Sequence, residues 1–315
     1  QELPRERLTA ADEREHVLFY LVEVIYRVLP ALYEELEFWL DHVYGIPAKS
    51  VGLPGLLRFG TWVGGDMDGN PDVHAKTLRE TLHRHQRLII STYFEECRSL
   101  ASRLSQSESR IAVDRGLEQR LAEYTTILPA GPELAQSRHD RMPYRIFLLQ
   151  IAERLRTTYD GRPNSYENAA EFIADVECVA DSLRAHRGEH AGLFMVERLL
   201  RRARTFGFHL ATLDVRQHAR VHREVIGQGL DDPEWILRTP AERQRRLAEA
   251  LERDVAPAAP LDATGRRTLA VFEAMAQGRI RLGAEAVGDY IVSGTEAPDD
   301  VLSVLLLARW ADTSD

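Results

Sequence analysis

The chain has little cysteine, no excess of basic residues and no long uninterrupted apolar segment. Its 315 residues include two cysteines, Cys97 and Cys178, and carry a formal net charge of −9. Two cysteines within predicted helices provide neither a disulfide framework nor a zinc pattern, and they suit a reducing compartment. The acidic balance argues against a general nucleic-acid binder, which usually has a basic excess. No apolar run reaches the ~20 residues that cross a bilayer, so the sequence predicts no membrane span.

Apolar residues make up 44% of the chain, which is enough to build a sizeable core. The length allows one large domain or two small ones. The sequence begins with Gln1 rather than methionine and stops within a patterned segment at Asp315. We therefore expect a single partial domain, residues 1–315, of a longer protein. No period of roughly 20–50 residues indicates a solenoid.

Apolar residues that recur every three or four positions predict helices over most of the chain. The predicted helices are 12–42 (kinked or divided at Pro30), 74–104, 114–127, 143–159, 164–186, 190–204, 217–226, 264–277 and 298–310. Asn164 with Glu167 three residues later predicts a helix start. Thr239 with Glu242 predicts another, with a proline at its first helical position.

Three short apolar segments predict strands, each followed by a helix and separated by helical insertions. They are residues 59–63, 208–215 and 290–293. These βα units cover about 58–104, 207–227 and 288–311, far short of the eight strands that close a (β/α)8 barrel. The predicted fold class is therefore mainly α, with long helices and a few short parallel strands that belong to an incomplete (β/α)8 barrel.

An acidic loop bounded by glycines follows the first predicted strand. Gly64 and Gly65 permit positive φ and close backbone approach, and the Gly-Asn-Pro run that includes Asn70 is typical of a turn. A strand that ends in such a loop and then leads into a long helix is a typical place for ligand chemistry in α/β proteins. We take Gly64, Gly65, Asp66, Asp68 and Asn70 as candidate site residues.

Asp66 and Asp68 have several possible roles: metal ligands, a base, or supports of their own loop. An EF-hand is excluded, because positions six and twelve counted from Asp66 are Pro71 and Thr77 instead of glycine and glutamate. A phosphatase-like Asp-x-Asp remains open. The structural alternative is that both carboxylates accept backbone N–H bonds in the loop and pair with a nearby arginine.

Arg216 is the strongest single candidate for binding an anion. It follows the predicted strand 208–215, at the strand end where barrel enzymes keep their chemistry. Its planar guanidinium matches phosphate and carboxylate oxygens, and Gln217 beside it is a further candidate. The alternative is a salt bridge to Asp214 or to another acid at a strand end; Asp214 is within reach because side chains two apart on a strand share a face. His222 is more typical of a packing or capping residue than of a catalyst.

Four motifs, in order along the chain, resemble phosphoenolpyruvate carboxylase. They are WVGGDMDGNP at 62–71, PYR at 143–145 with RL at 154–155, FGFHLATLDVRQ at 206–217 with His222 beyond, and YIVS at 290–293 followed by DVL at 300–302. The resemblance spans nearly the whole chain. Met67, His218 and Gly294 depart from it, standing where others in the family carry arginine, glutamate and methionine.

The resemblance implies a lyase that forms oxaloacetate and phosphate from phosphoenolpyruvate and bicarbonate, using Mg²⁺ or Mn²⁺. It implies carbon dioxide fixation that feeds the tricarboxylic acid cycle, in a soluble, cytoplasmic homotetramer under allosteric control. It places the loop of Asp66 and Asp68 at the active-site end of a TIM barrel, and Arg216 against phosphoenolpyruvate. The family's catalytic histidine lies in a His-Pro motif, and no His-Pro occurs here. The family's metal-binding acids lie downstream of the last match, so the resemblance places no metal ligand and no known catalytic residue in this chain, and we expect the chain alone to be inactive.

Two other classes of function remain open. One is a non-catalytic helical scaffold or binding module. The other is a different metal-dependent phosphoester enzyme that uses Asp66 and Asp68 around a metal.

Overall fold

A computed structural model of the chain describes residues 9–47, 52–107, 112–128 and 142–312. Helices make up 68% of these residues and strands 6%. The predicted mainly helical class, with a few short parallel strands, is therefore confirmed.

The described residues form α-helices and one small three-stranded sheet, joined by short connections. The helices are α1 (Ala10–Phe19), α2 (Tyr26–Tyr44), α3 (Ala75–Arg103), α4 (Arg115–Ile127), α5 (Pro143–Asp160), α6 (Ala169–Ala185), α7 (Leu193–Phe206), α8 (Ala219–Gly229), α9 (Pro240–Glu252), α10 (Ala263–Leu282) and α11 (Pro298–Asp312). The strands are β1 (Gly60–Thr61), β2 (Thr212–His218) and β3 (Val287–Ser293). A π-helical segment, Tyr20–Ile25, joins α1 to α2.

Of the two helix starts that the sequence predicts from capping residues, one is confirmed and the other is wrong. The Thr239 side chain accepts the Glu242 N–H and the glutamate bonds back, so that capping box is confirmed. The start at Asn164 is wrong, because α6 is capped by Asn168, whose side chain accepts the N–H groups of Ala170 and Glu171. Asn164 instead has a φ of 65°, and its side-chain Nδ2 donates to the Ile127 carbonyl at 2.7 Å.

The sequence predicts a kink or a division at Pro30, and the division does not occur, because α2 continues through this residue. Proline lacks an N–H and leaves the carbonyl four residues earlier, that of Tyr26, without its helical donor. The Arg202 Nε donates to this carbonyl at 2.9 Å and replaces the missing bond. The departure from α geometry lies before the proline, in the π-helical segment.

The chain divides into two compact units. Unit 1 consists of Gln1–Val17, Gly60–Arg84 and Ala211–Asp315, and unit 2 consists of Leu18–Phe59 and His85–Leu210. The division reflects where the contacts within the chain are concentrated. That residues 1–315 form a single partial domain stays a prediction.

Unit 1 contains the sheet, whose strands are parallel in the order β1-β2-β3. Leu213 and Val215 are buried against residues of α3 and α10, whereas Thr212, Asp214 and Arg216 alternate with them and are only partly buried. Because neighbouring side chains of a strand point to opposite faces, the helices cover one face of β2 and its charged residues lie on the other. A second cluster around Trp235 and Trp310 packs α8, α9 and α11 together.

The strand boundaries differ from the predicted ones. Residues 208–211 form a turn and a bend, so the second strand begins at Thr212 and includes Arg216, Gln217 and His218. Left-handed φ values at Gly207 and Leu210 keep this stretch out of the strand. The first strand is only two residues long, and the third begins three residues earlier than predicted.

Unit 2 contains a buried polar network on α6. Asp175 is fully buried and accepts hydrogen bonds from the Tyr124 and Tyr166 hydroxyls. Burial raises the pKa of Asp175, while the two hydroxyls and the charges of Arg120 and Arg154 oppose the shift. The network links α4, α5 and α6 within this unit.

The stretch Ala10–Tyr44 is long enough and apolar enough on average to cross a membrane, by length and composition alone. Only 33% of its most apolar window is buried in the structure. The prediction of no such segment was therefore too strict, since it required an uninterrupted apolar run.

Candidate functional site

The acidic loop after β1 is fastened to the backbone of β2. Arg216 N–H donates to the Gly65 carbonyl at 3.0 Å, and Met67 N–H donates to the Arg216 carbonyl at 2.8 Å. Asp66 and Arg216 thus form an isolated parallel bridge that extends the short pairing of β1 with β2. This pairing brings the two side chains, 150 residues apart in sequence, next to each other.

Both glycines of the loop are required by their surroundings. A Cβ on Gly65 would lie 2.1 Å from the backbone oxygen of Asp214. Gly64 has a φ of 90°, and a Cβ there would lie 2.3 Å from Thr81 Oγ1. Only glycine allows the loop to lie this close to β2 and α3.

The guanidinium of Arg216 is held by both loop aspartates. Its Nε donates to Asp66 Oδ1 at 2.9 Å, and its Nη2 lies 3.6 Å from Asp68 Oδ2. The alternative pairing with Asp214 is wrong, because Asp214 Oδ1 instead accepts the backbone N–H of Asp289 at 3.1 Å. Arg216 is also inside β2 instead of beyond its end.

The two aspartates also bond within and around their loop. Asp66 Oδ1 accepts the Asp68 N–H at 3.1 Å. Ser293, the last residue of β3, donates its hydroxyl to Asp68 Oδ2 at 2.7 Å. These contacts are those of the structural alternative, in which the carboxylates hold the loop and orient an arginine.

Two further candidates bond mainly to the backbone near them. Asn70 Oδ1 accepts the Asp72 N–H at 3.2 Å, which is a side-chain turn. Gln217 Oε1 accepts the His218 N–H at 2.8 Å. Both residues lie in the segments that form the site, and neither amide contacts Arg216 among the hydrogen bonds of the described residues.

The arrangement can bind an anionic group on one side of Arg216. Its side chain keeps 34% exposure, and within the described ranges its Nη1 has no hydrogen bond. Trp62, at the end of β1, is 56% exposed and its ring lies 5.9 Å from the guanidinium carbon. An oriented guanidinium with free N–H groups beside an apolar ring favours phosphate or carboxylate oxygens.

The same residues do not fit a divalent cation. Asp66 and Asp68 already face the positive charge of Arg216, and a metal would have to displace it. In the part of the chain that the structure describes, no group of three or more histidine, cysteine, aspartate or glutamate side chains could hold a metal ion.

His222 lies on α8, behind the sheet. It is fully buried, with Nε2 2.8 Å from the Tyr290 hydroxyl. Burial lowers the pKa of His222 to about 4, while the nearby Asp300 carboxylate raises it and His218 lowers it further. The ring packs on the helix side of β3 and does not contact Arg216 among the described contacts, which is the arrangement of a packing residue.

Ser293 and Trp62 were missed as individual site residues. Both stand at the carboxyl end of a strand in a parallel sheet, and such ends meet at one edge. Their positions at the ends of predicted strands could therefore have identified them as site residues.

Comparison with known proteins identifies the family. The family model described as phosphoenolpyruvate carboxylase matches residues 1–315. A phosphoenolpyruvate carboxylase of Xanthomonas campestris pv. campestris (strain 8004) is 44% identical over 303 residues, which cover 96% of this chain and 33% of that protein. Similar relatives from Ralstonia nicotianae and Burkholderia mallei (strain SAVP1) are 32% and 33% identical, each with 32% of its length covered. The chain thus spans about a third of the length of these relatives, and it belongs to the phosphoenolpyruvate carboxylase family.

Proposed function

We propose that this chain forms part of an enzyme that converts phosphoenolpyruvate and bicarbonate to oxaloacetate and phosphate, and that Arg216 binds phosphoenolpyruvate. The observation that carries the proposal is the orientation of Arg216. Asp66 and Asp68 hold one side of its guanidinium, and the Nη1 side stays open at the carboxyl edge of three parallel strands. Carboxyl edges of parallel strands are where α/β enzymes bind ligands.

The charge of the site indicates what the rest of the protein must supply. One guanidinium faces two carboxylates, so the described residues alone do not neutralise the negative charge of a substrate that carries a phosphate and a carboxylate. Transition states of phosphoryl and enolate chemistry need several cationic groups around the developing charge. We therefore propose that Mg²⁺ or Mn²⁺ and further cationic side chains come from parts of the family-length protein outside this chain.

The finer features of the family are proposals of the same kind. The three parallel strands would be part of a (β/α)8 barrel that other strands complete. The assembled protein would be a cytoplasmic homotetramer under allosteric control, with no membrane or nucleic-acid partner. The phosphoester alternative gains no support, because its two aspartates pair with Arg216.

The test uses the Xanthomonas campestris relative with its matching third replaced by this chain. Arg216→Lys keeps the charge but loses the planar fork. A hydrogen bond to a charged group contributes roughly 1.5–3 kcal/mol, so the apparent KM for phosphoenolpyruvate should rise by about one to two orders of magnitude. Its melting temperature should change little, because a partly exposed ion pair contributes only about 0–1 kcal/mol.

Arg220→Lys is the matched control. Arg220 lies four residues further along, on α8, where its side chain is 79% exposed and pairs with Glu224. We expect its KM to match that of the unmodified hybrid. An unchanged KM in Arg216→Lys, or an equal rise in both variants, would end the assignment. The isolated 315-residue chain should give no oxaloacetate in a coupled assay with Mg²⁺ and bicarbonate.

A further inference from the structure

The π-helical segment and α2, which together cover residues 20–44, are apolar on two sides. One side packs into unit 2 through Leu21, Leu29 and Tyr33, each at most 5% exposed. The other side carries a second set of apolar residues, here called the apolar stripe: Tyr20, Val24, Val28, Leu32, Leu36, Trp39 and Val43, which are 37–60% exposed. An exposed apolar side of this size on a helix normally marks a surface that packs against a partner.

The apolar stripe is large for a free surface. Phe19, Phe38 and Tyr44 flank it at 57%, 57% and 72% exposure. With Tyr20 and Trp39 they form five half-exposed aromatic residues, which together present on the order of 500 Å², since each aromatic side chain has about 150–250 Å² to bury. The aliphatic residues add to this, so the patch exceeds the few hundred Å² usual on a monomer.

We propose that the apolar stripe is the docking surface for a helical segment from the part of the family-length protein that this chain does not contain. The chain matches about a third of its relatives' length, so about twice its own length of protein remains to be packed in a family member. An apolar helix face is the surface on which such a segment docks, through anchors spaced three and four residues apart.

The stripe also specifies a charge on its partner. Glu35 lies seven residues after Val28 and four before Trp39, which places it on the same face of α2. It is exposed, and within the described ranges it forms no ion pair. Burying an unpaired carboxylate is unfavourable, so the docked segment carries a lysine or arginine opposite Glu35.

The same carboxylate disfavours two other occupants. A second copy of the chain would meet the stripe across a two-fold axis, which sets the same patch against itself and brings the two Glu35 residues close together. A membrane surface attracts helices with a basic polar face. Here the charge on the stripe's own face is the carboxylate of Glu35, and two neighbouring carboxylates, Glu34 and Glu37, pair with Arg198 and Arg201, so the helix presents no basic face.

Oxidative footprinting with hydroxyl radicals tests the docking surface. The isolated chain is compared with the Xanthomonas campestris hybrid that contains it. Modification of Trp39 should fall about tenfold in the hybrid, because a half-exposed ring becomes a core residue there. Trp235 and Trp310, which are buried at 1% exposure, give the baseline in both proteins. Equal modification of Trp39 in the two proteins would overturn the proposal.

A pair of variants distinguishes docking from mere exposure. Leu32→Lys should leave the melting temperature of the isolated chain unchanged and should lower that of the hybrid. Leu237→Lys is the matched control, at an 85% exposed site outside the stripe, and should change neither. The proposal fails if Leu32→Lys behaves like the control in the hybrid. It also fails if the isolated chain forms a dimer that Leu32→Lys abolishes, or binds phospholipid vesicles through Trp39.

Discussion

His222 should make unit 1 less stable as the pH falls from neutral. The pKa of this buried ring is about 4, whereas an unfolded histidine has a pKa of about 6.5. Below that unfolded value the unfolded chain takes up a proton and the folded chain does not, so stability falls with pH until the folded ring also titrates. Between about pH 8 and pH 5 the loss is about 2 kcal/mol of unfolding free energy.

The assay is urea denaturation of the wild type and His222→Gln at a series of pH values, followed by tryptophan fluorescence. Trp235 and Trp310 lie in the buried cluster that also contacts Tyr290, so their emission reports the unit that contains His222. Glutamine can still bond to the Tyr290 hydroxyl but does not titrate in this range. The difference between the two proteins isolates His222, because other titrations occur in both.

The variant should show a flatter dependence, and the difference should approach about 2 kcal/mol near pH 5. Asp300 does not produce this signal. Burial alone would raise the pKa of its carboxyl, but bonds from Arg223 and two backbone N–H groups lower it overall. Its contribution to stability is therefore lost only below the acid range used here. Parallel curves for wild type and variant would refute the reasoning, because they would mean that His222 is charged or exposed in the folded protein.

Three further changes test contacts described above. Gly65→Ala should destabilise the protein by about 1–3 kcal/mol in urea denaturation, because the new methyl group overlaps the Asp214 carbonyl; a neutral result would contradict the close approach. Arg202→Met should lower the free energy of unfolding by about 1.5–3 kcal/mol. Adding Pro30→Ala to that variant should recover about 1 kcal/mol, because an alanine N–H again donates to the Tyr26 carbonyl. If the effects of the two substitutions are strictly additive, this coupling between Arg202 and Pro30 is contradicted. Thr239→Ala should cost about 1 kcal/mol through loss of the helix cap, and an unchanged unfolding midpoint would contradict the capping role.

Local patterns predicted the helices well, because periodicity and capping depend on residues a few positions apart. The exceptions arose where two local signals were equivalent or where tertiary contacts intervened. Asn164 and Asn168 each precede a glutamate by three residues, and only the backbone conformation shows that the second begins the helix. Pro30 was expected to kink or divide its helix, but the helix continues, and a side chain from α7 supplies the missing bond.

The site was predictable by position but not by partner. The loop and Arg216 each have strong local signals of turn and strand end. Which acid pairs with Arg216 depends on the register of β1 against β2, and this is set by contacts between segments far apart in sequence. Asp214 was a reasonable neighbour by spacing, but the adjacent β3 backbone uses its carboxylate.

The distance in sequence between Asp66 and Arg216 has a consequence for the order of folding. Helical turns form from neighbouring residues within microseconds, but a contact across 150 residues must wait for a long loop to close. During synthesis, the acidic loop leaves the ribosome well before Arg216 exists. Until β2 is made, the two carboxylates have neither that guanidinium nor the strand beside them. The Asp66–Arg216 pair should therefore form late, and its appearance in a refolding experiment would mark the pairing of β1 with β2.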